Sequence, residues 1–224
     1  MTDEQLPPAS PIRDPRLDRY ARFDEHSRRF PITAVVPDTR PLRSYTWTCD
    51  TWLDQGQEGA CTGFSRAHVT AARPAPKPMT NEDAKRCYYR ARQLDEWAGE
   101  DYDGSSVLGA VKAAKEFGWV KTYRWAFSVD DLARGIGYVG PAAIGIDWMG
   151  GMSQTDRRGF IHATGGVQGG HAIMVNGVDV KNRTFRLFNS WGPDWGISGQ
   201  ALLSWSDMDL LLNRRGEACF STKA

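Results

Sequence analysis

Four residues of this chain have the types and neighbours that acyl-transfer chemistry asks for: a glutamine, a cysteine, a histidine and an asparagine. Cys61 follows the glycine-rich stretch Asp54-Gln55-Gly56-Gln57-Glu58-Gly59-Ala60 and opens Cys61-Thr62-Gly63-Phe64-Ser65. Coil running into a helix puts Cys61 in the first turn. There, unpaired backbone N–H groups and the positive end of the helix dipole stabilise a thiolate, the nucleophilic form of cysteine. A free cysteine is more often a small buried apolar residue, and Cys87, inside Lys85-Arg86-Cys87-Tyr88-Tyr89, fits that description. Cys49 and Cys219 have neither a helix start nor a base close in sequence. No two of the four cysteines form a C-x-x-C pair, so neither a zinc site nor a redox dithiol is expected. No metal or organic cofactor is implied.

A cysteine nucleophile needs a base and a group to orient it. His171 heads the apolar run Ala172-Ile173-Met174-Val175, directly after Gly169-Gly170. A strand of this kind anchors the ring while it projects into a cleft. His26 lies in the N-terminal segment and His68 inside the first helix, leaving His162, in Gly159-Phe160-Ile161-His162, as the rival base. Asn189, in Phe188-Asn189-Ser190-Trp191-Gly192, ends a strand. Its side chain can accept from an imidazole N–H and fix the tautomer, leaving the other nitrogen to face the thiol. Trp191 can shield that hydrogen bond from water.

Each motif alone has an ordinary structural reading; in the order Gln, Cys, His, Asn they are far more specific. Over about residues 45 to 210 the chain resembles papain and its relatives, the C1 cysteine peptidases, in the manner of a disulfide-poor, bacterial-type member. Gln55 lies six residues before Cys61, as the oxyanion glutamine does in that family. His171-Ala172 follows glycine, and Asn189-Ser190-Trp191-Gly192 is followed by a second Trp-Gly, Trp195-Gly196. The resemblance implies an α+β, two-lobed fold, with a helical lobe carrying the cysteine, a β-rich lobe carrying the histidine and asparagine, and the active site between them. It implies catalysis by Gln55, Cys61, His171 and Asn189 on a peptide or isopeptide carbonyl, through a thiolate–imidazolium pair and a Cys61 thioester. It also implies substrate contacts at Gly104 and Ser105, within Asp103-Gly104-Ser105-Ser106, and at Gly170 and Trp191. The partner is then a protein or peptide substrate.

The departures are specific. The family signature C-G-[SA]-C-[WY] reads Glu58-Gly59-Ala60-Cys61-Thr62 here, so Glu58 replaces a disulfide-forming cysteine and is free to hold a cation. The span from Cys61 to His171, 110 residues, is shorter than in papain, and with so short an arm no long inhibitory pro-region is expected. Two rival functions share these residues. A transpeptidase, deamidase or other acyltransferase would use the same Cys–His core, and an inactive papain-fold binding module would keep the fold alone.

These residues require particular elements around them. Helices are expected from about Ala60 to Arg73, Asn81 to Trp97 (capped by Thr80, with Asp83 three residues on) and Ser106 to Phe117. Strands are expected at Ala142 to Trp148, His171 to Val180, Thr184 to Asn189 and Gln200 to Trp205. The catalytic domain is placed at 45–224, its helical lobe at about 45–125 and its β-rich lobe at about 126–224. Residues 1–44 form a proline- and arginine-rich arm in which Arg16 to Arg29 has room for a short helix. Tyr20, Phe23, Phe30, Ile32, Val35 and Val36 are spread along it, and the arm is expected to act as a structural belt packed on the body away from the cleft.

The bulk numbers exclude other classes. Lys+Arg 28 against Asp+Glu 27 leaves no positive surplus for a phosphate backbone, so nucleic acid is not an expected partner. No apolar run is long enough to span a bilayer, and no apolar stretch follows the acidic Met1-Thr2-Asp3-Glu4. A cytoplasmic protein with reduced thiols is therefore expected.

Overall fold

The computed structural model describes residues 14–22, 25, 27–95 and 103–222. Among them, three of the five α-helices precede all strands but β1. The helices are α1 (Cys61–Ala71), α2 (Asn81–Leu94), α3 (Val107–Glu116), α4 (Val129–Tyr138) and α5 (Trp205–Arg215). The strands are β1 (Tyr45–Thr46), β2 (Thr122–Ala126), β3 (Ala142–Met149), β4 (Val167–Asp179), β5 (Thr184–Phe188), β6 (Gln200–Ser204) and β7 (Glu217–Thr222). The strands form one antiparallel sheet in the order β2-β7-β3-β4-β5-β6, with β1 added to β4. This is a two-lobed α+β fold.

Strand alternation divides the interior into two cores. Ile144, Ile146 and Trp148 of β3, with Ile173 and Val175 of β4, face a core that also holds Leu132, Phe185 and Phe220. Ala143 of β3, with Ala172 and Met174 of β4, faces a second core built on Cys87, Val107, Val111, Trp125 and Phe188. A slip of one residue would exchange these faces, so the register that sets His171 opposite Ile146 is held by both cores at once. Every residue of α1 is buried. Gly63 permits this, because a Cβ there would strike the Ala84 carbonyl oxygen and approach Tyr88 to 2.7 Å, so α1 and α2 touch backbone to backbone.

The three expected helices are present, and α2 carries the Thr80–Asp83 capping box. It ends at Leu94; positions 96 and 97 lie outside the described residues. Helices α4 and α5 and strands β2 and β7 were not expected. Gly135 and Gly137 dilute the helical signal of α4, whose cap is Ser128. The Ser204 hydroxyl accepts from the Asp207 amide and turns the chain into α5 at Trp205, where the strand had been expected to end. Arg16 to Arg29 holds no α-helix in its described part: Asp18 and Arg19 are extended, and Ser27–Arg29 is a single 3-10 turn. No helix among the described residues is long and apolar enough to cross a membrane.

Candidate active site

Cys61 is the first residue of α1 and fully buried. Its sulfur accepts the Ala172 backbone N–H at 3.4 Å, which ties the helix start to the strand beside His171. His171 is also fully buried, and its Nε2 lies 2.8 Å from Asn189 Oδ1. That oxygen accepts the Ser190 backbone N–H at 2.9 Å as well, which fixes the amide orientation. Nε2 therefore carries the proton, and Nδ1 is the basic nitrogen. Trp191 and Trp148 pack on the ring with centroids at 4.9 and 4.8 Å, keeping water from the His171–Asn189 bond.

Gln55 joins the same constellation. Its backbone N–H reaches the Ser190 carbonyl at 2.9 Å, and its Oε1 accepts the Ser190 hydroxyl at 2.7 Å. One proton of its amide is committed to the Glu58 carbonyl at 2.7 Å. The other points at a second carbonyl, that of Arg16, at 3.2 Å. Ser190 thus aligns both Asn189 and Gln55. Sequence reasoning passed over it, although it stands inside the Asn-Ser-Trp motif, and it also missed Trp148.

The rival base lies elsewhere. His162 is half exposed, with Nε2 3.2 Å from Asp156, and stacks on Phe160. Buried His68 accepts the Leu53 N–H at 3.2 Å and so holds the loop that carries Gln55. Glu58 pairs with Lys85 at 2.9 Å and with the Tyr89 hydroxyl, the cation-holding role open to it.

Gly104, Ser105, Gly170 and Trp191 all meet one object: the chain's own arm. Ser105 donates its N–H to the Asp18 carbonyl at 3.2 Å and accepts that of Tyr20 at 2.9 Å, while Gly170 accepts the Arg19 N–H at 3.0 Å. Gly104, at φ +98, lies so close to Asp18 that a Cβ would collide with its carbonyl oxygen. The Arg16 guanidinium lies 4.0 Å over the Trp191 ring. This corrects the expectation that the arm packs away from the cleft. Ile32 and Val36 are indeed buried like parts of a belt. Residues 16–20, however, are held by backbone pairing, which the distribution of apolar side chains could not reveal. Phe23 and His26 lie outside the described residues.

No family model matches the chain. It is 26% identical over 159 residues to a cathepsin B-like cysteine proteinase of Schistosoma japonicum, covering 67% of this chain and 44% of that protein. It is 27% identical over 161 residues to cathepsin B-like cysteine proteinase 3 of Ostertagia ostertagi, covering 66% and 87%. The chain thus spans less than half the length of the first relative and most of the second. Xylellain, a cysteine protease from Xylella fastidiosa, superposes with a TM-score of 0.66 over 97% of this chain and all of its own, at 16% identity. Digestive procathepsin L 3 of Tenebrio molitor gives 0.59 over 93% and 76%, at 17% identity. These structural likenesses speak for the fold. The relatives matched by sequence are both cysteine proteinases, and the two lines of comparison agree. The chain has the fold of the papain-like cysteine peptidases and is similar in sequence to two of their cathepsin B-like members.

The thiolate–imidazolium pair that the resemblance implies is not favoured while the arm is seated. Burial pushes the Cys61 thiol up to about 11, although the Ala172 and Asp18 backbone amides pull the other way. Burial also holds His171 down at about 4, against the support of Asn189. In this covered state, at neutral pH, the pair is a thiol and a neutral imidazole.

A stability prediction follows from the two buried histidines. Burial holds His171 at about 4 and His68 at about 3, whereas an unfolded histidine titrates near 6.5. Below pH 6.5 the unfolded chain binds protons that the folded chain refuses. Stability from these sites is therefore complete above 6.5 and declines as pH falls towards 4 and 3. Every pH unit that separates the folded from the unfolded titration is worth about 1.4 kcal/mol. The melting temperature should fall steadily between pH 6.5 and 5, above the range where ordinary carboxylates titrate. A flat profile in that window would contradict the burial of both rings.

Proposed function

We propose that the chain is a cysteine-type peptidase that hydrolyses peptide or isopeptide bonds through a Cys61 thioester and is held latent by its own arm. The observation that carries this reading is the unbroken set of contacts from Cys61 through Ala172 and His171 to Asn189, Ser190 and Gln55. His171 Nδ1 takes the thiol proton, and the sulfur attacks the substrate carbonyl. The spare Gln55 amide proton, with the Cys61 backbone N–H, receives the oxyanion. Collapse expels the amine, protonated by His171, and water releases the acyl group by the same base. Asn189 orients the ring and Trp191 shields it. Gly104, Ser105 and Gly170 pair with substrate backbone once the arm has left.

The proteinase names of the sequence relatives support the substrate class, a protein or peptide. All four cysteines are buried as thiols in the fold, which supports a reducing setting.

Gln55 supplies the test that separates an oxyanion donor from a loop residue. Removing one such donor typically costs on the order of 10²–10³ in kcat. Gln55→Ala should lose that much turnover of a peptide substrate while its Cys61 alkylates no more slowly than before. Unchanged kcat would remove Gln55 from the mechanism.

A further inference from the structure

One buried charge takes no part in the site. Arg66, five residues after Cys61 on α1, is 0% exposed, and its Nη1 donates to the Ser221 hydroxyl of β7. Its Nε and Nη2 have no partner, and neither has Oγ1 of Thr62, which is also 0% exposed. Thr62 stands one turn before Arg66 on the same face of α1, where a long helical side chain leans back over the preceding turn. Nε and Nη2 form one edge of the planar guanidinium fork. In Arg16 that edge grips Asp14 at 2.9 and 2.6 Å, and in Arg90 it grips Glu116 at 2.7 and 3.2 Å. In Arg19 it grips Glu217 of β7, which stands opposite Gly145 of β3, at 3.1 and 2.9 Å. In Arg66 the same edge meets no carboxylate of the described residues.

A guanidinium does not shed its proton in a protein, so the charge of Arg66 persists in the interior and needs a counter-charge there. Two thiols feel it, Cys87 and Cys219, both buried in the second core. Burial still pushes Cys87 up to about 12 and Cys219 up to about 11 against the pull of Arg66, so both are neutral at pH 7. Water would satisfy the N–H groups and leave the charge in place. A divalent oxyanion would replace one uncancelled charge with another of opposite sign. We infer that the Nε–Nη2 edge of Arg66, with the Thr62 hydroxyl, binds one small monovalent anion, a halide such as chloride, in the interior beside α1. Two N–H groups and one O–H then converge on a single ion, which cancels the charge and gives every orphaned donor a partner. The ion completes the surroundings of the side chain that ties α1, the helix opened by Cys61, to Ser221 of β7.

Denaturant unfolding of the full chain tests this, with sodium chloride replaced stepwise by sodium gluconate at constant ionic strength. Once the site is more than half filled, each tenfold rise in chloride should raise the folding equilibrium constant about tenfold, the slope for one ion bound by the folded state alone. Bromide should reproduce that slope. Arg66→Met, which keeps much of the volume and removes the charge, should show no dependence on the halide. Thr62→Val should keep the slope and weaken binding by about tenfold or more, the loss of one hydrogen bond to a charged group. Should Arg66→Met fail to fold, anomalous diffraction from crystals of the unaltered chain grown in bromide carries the test, with one peak expected between Arg66 Nε, Arg66 Nη2 and Thr62 Oγ1. Equal stability in chloride and gluconate would overturn the inference. So would the same halide slope in Arg66→Met, or bromide found only at the surface. None of these readouts uses turnover, so the anion site and the peptidase reading stand or fall separately.

Discussion

Deletion of residues 1–22 should expose Cys61 and raise its rate of alkylation by iodoacetamide at neutral pH by about 100-fold or more. With the arm seated, the thiol is fully buried and pushed up from 9.0 to about 11. Restoring only its ordinary value raises the thiolate fraction by a factor of about 100, before the gain in access is counted. The His171 imidazole, freed from the same burial, can then share the charge and lower the thiol further. This truncation keeps Ile32 and Val36, which are buried in the body. Deletion of residues 1–44 removes them too, each worth about 1.5–3 kcal/mol in a domain whose whole net stability is about 5–15 kcal/mol. The shorter deletion should therefore give a folded, reactive protein, and the longer one a lower melting temperature or aggregation. Equal alkylation rates with and without residues 1–22 would mean that the arm does not mask the thiol.

The second large effect concerns the catalytic pair. Cys61→Ala should abolish peptide turnover with the fold preserved, since a methyl group replaces a small buried thiol. His171→Ala should cost a factor of about 10²–10⁴, the usual range for a general acid–base group, and more where the thiol then stays protonated. Asn189→Ala should cost less than His171→Ala, because it orients the ring without carrying the proton. His162→Ala should leave turnover unchanged, since that residue is engaged by Asp156. Steady-state kinetics of the four variants with one peptide substrate would settle the ranking. Activity lost with His162 and retained without His171 would overturn the assignment.

The parts of the site legible in the sequence were those fixed by local rules. A glycine-rich coil before a helix placed Cys61 at N1, and a glycine pair before an apolar run marked His171. That residue is not the head of its strand, as expected, but the first buried residue of β4, whose exposed start at Val167 carries no apolar run. The capping box at Thr80 located the start of α2. What escaped depended on contacts far apart in the chain. Glu217 reads as an ordinary acid between a helix and a strand, and only the β7–β3 register sets it opposite Gly145. Strand β2 reads poorly because Thr122 is exposed and Tyr123 and Arg124 are only partly buried, and its pairing with β7 spans about a hundred residues. The course of the arm was hidden for a different reason. Its seat on Ser105 and Gly170 uses backbone amides and carbonyls, which every residue possesses and which leave no compositional trace.

The most direct test of a Cys61 peptidase masked by its arm is to trap the covalent intermediate. The protein lacking residues 1–22 would be mixed with an activated peptide ester whose acyl group leaves slowly, quenched in acid, and measured as intact protein and as digested fragments. The account predicts a burst of the alcohol product matching the enzyme concentration, with one acyl group on the fragment that contains Cys61 and none in His171→Ala. An acyl group on another residue, or no adduct on a protein shown to be folded, would contradict it.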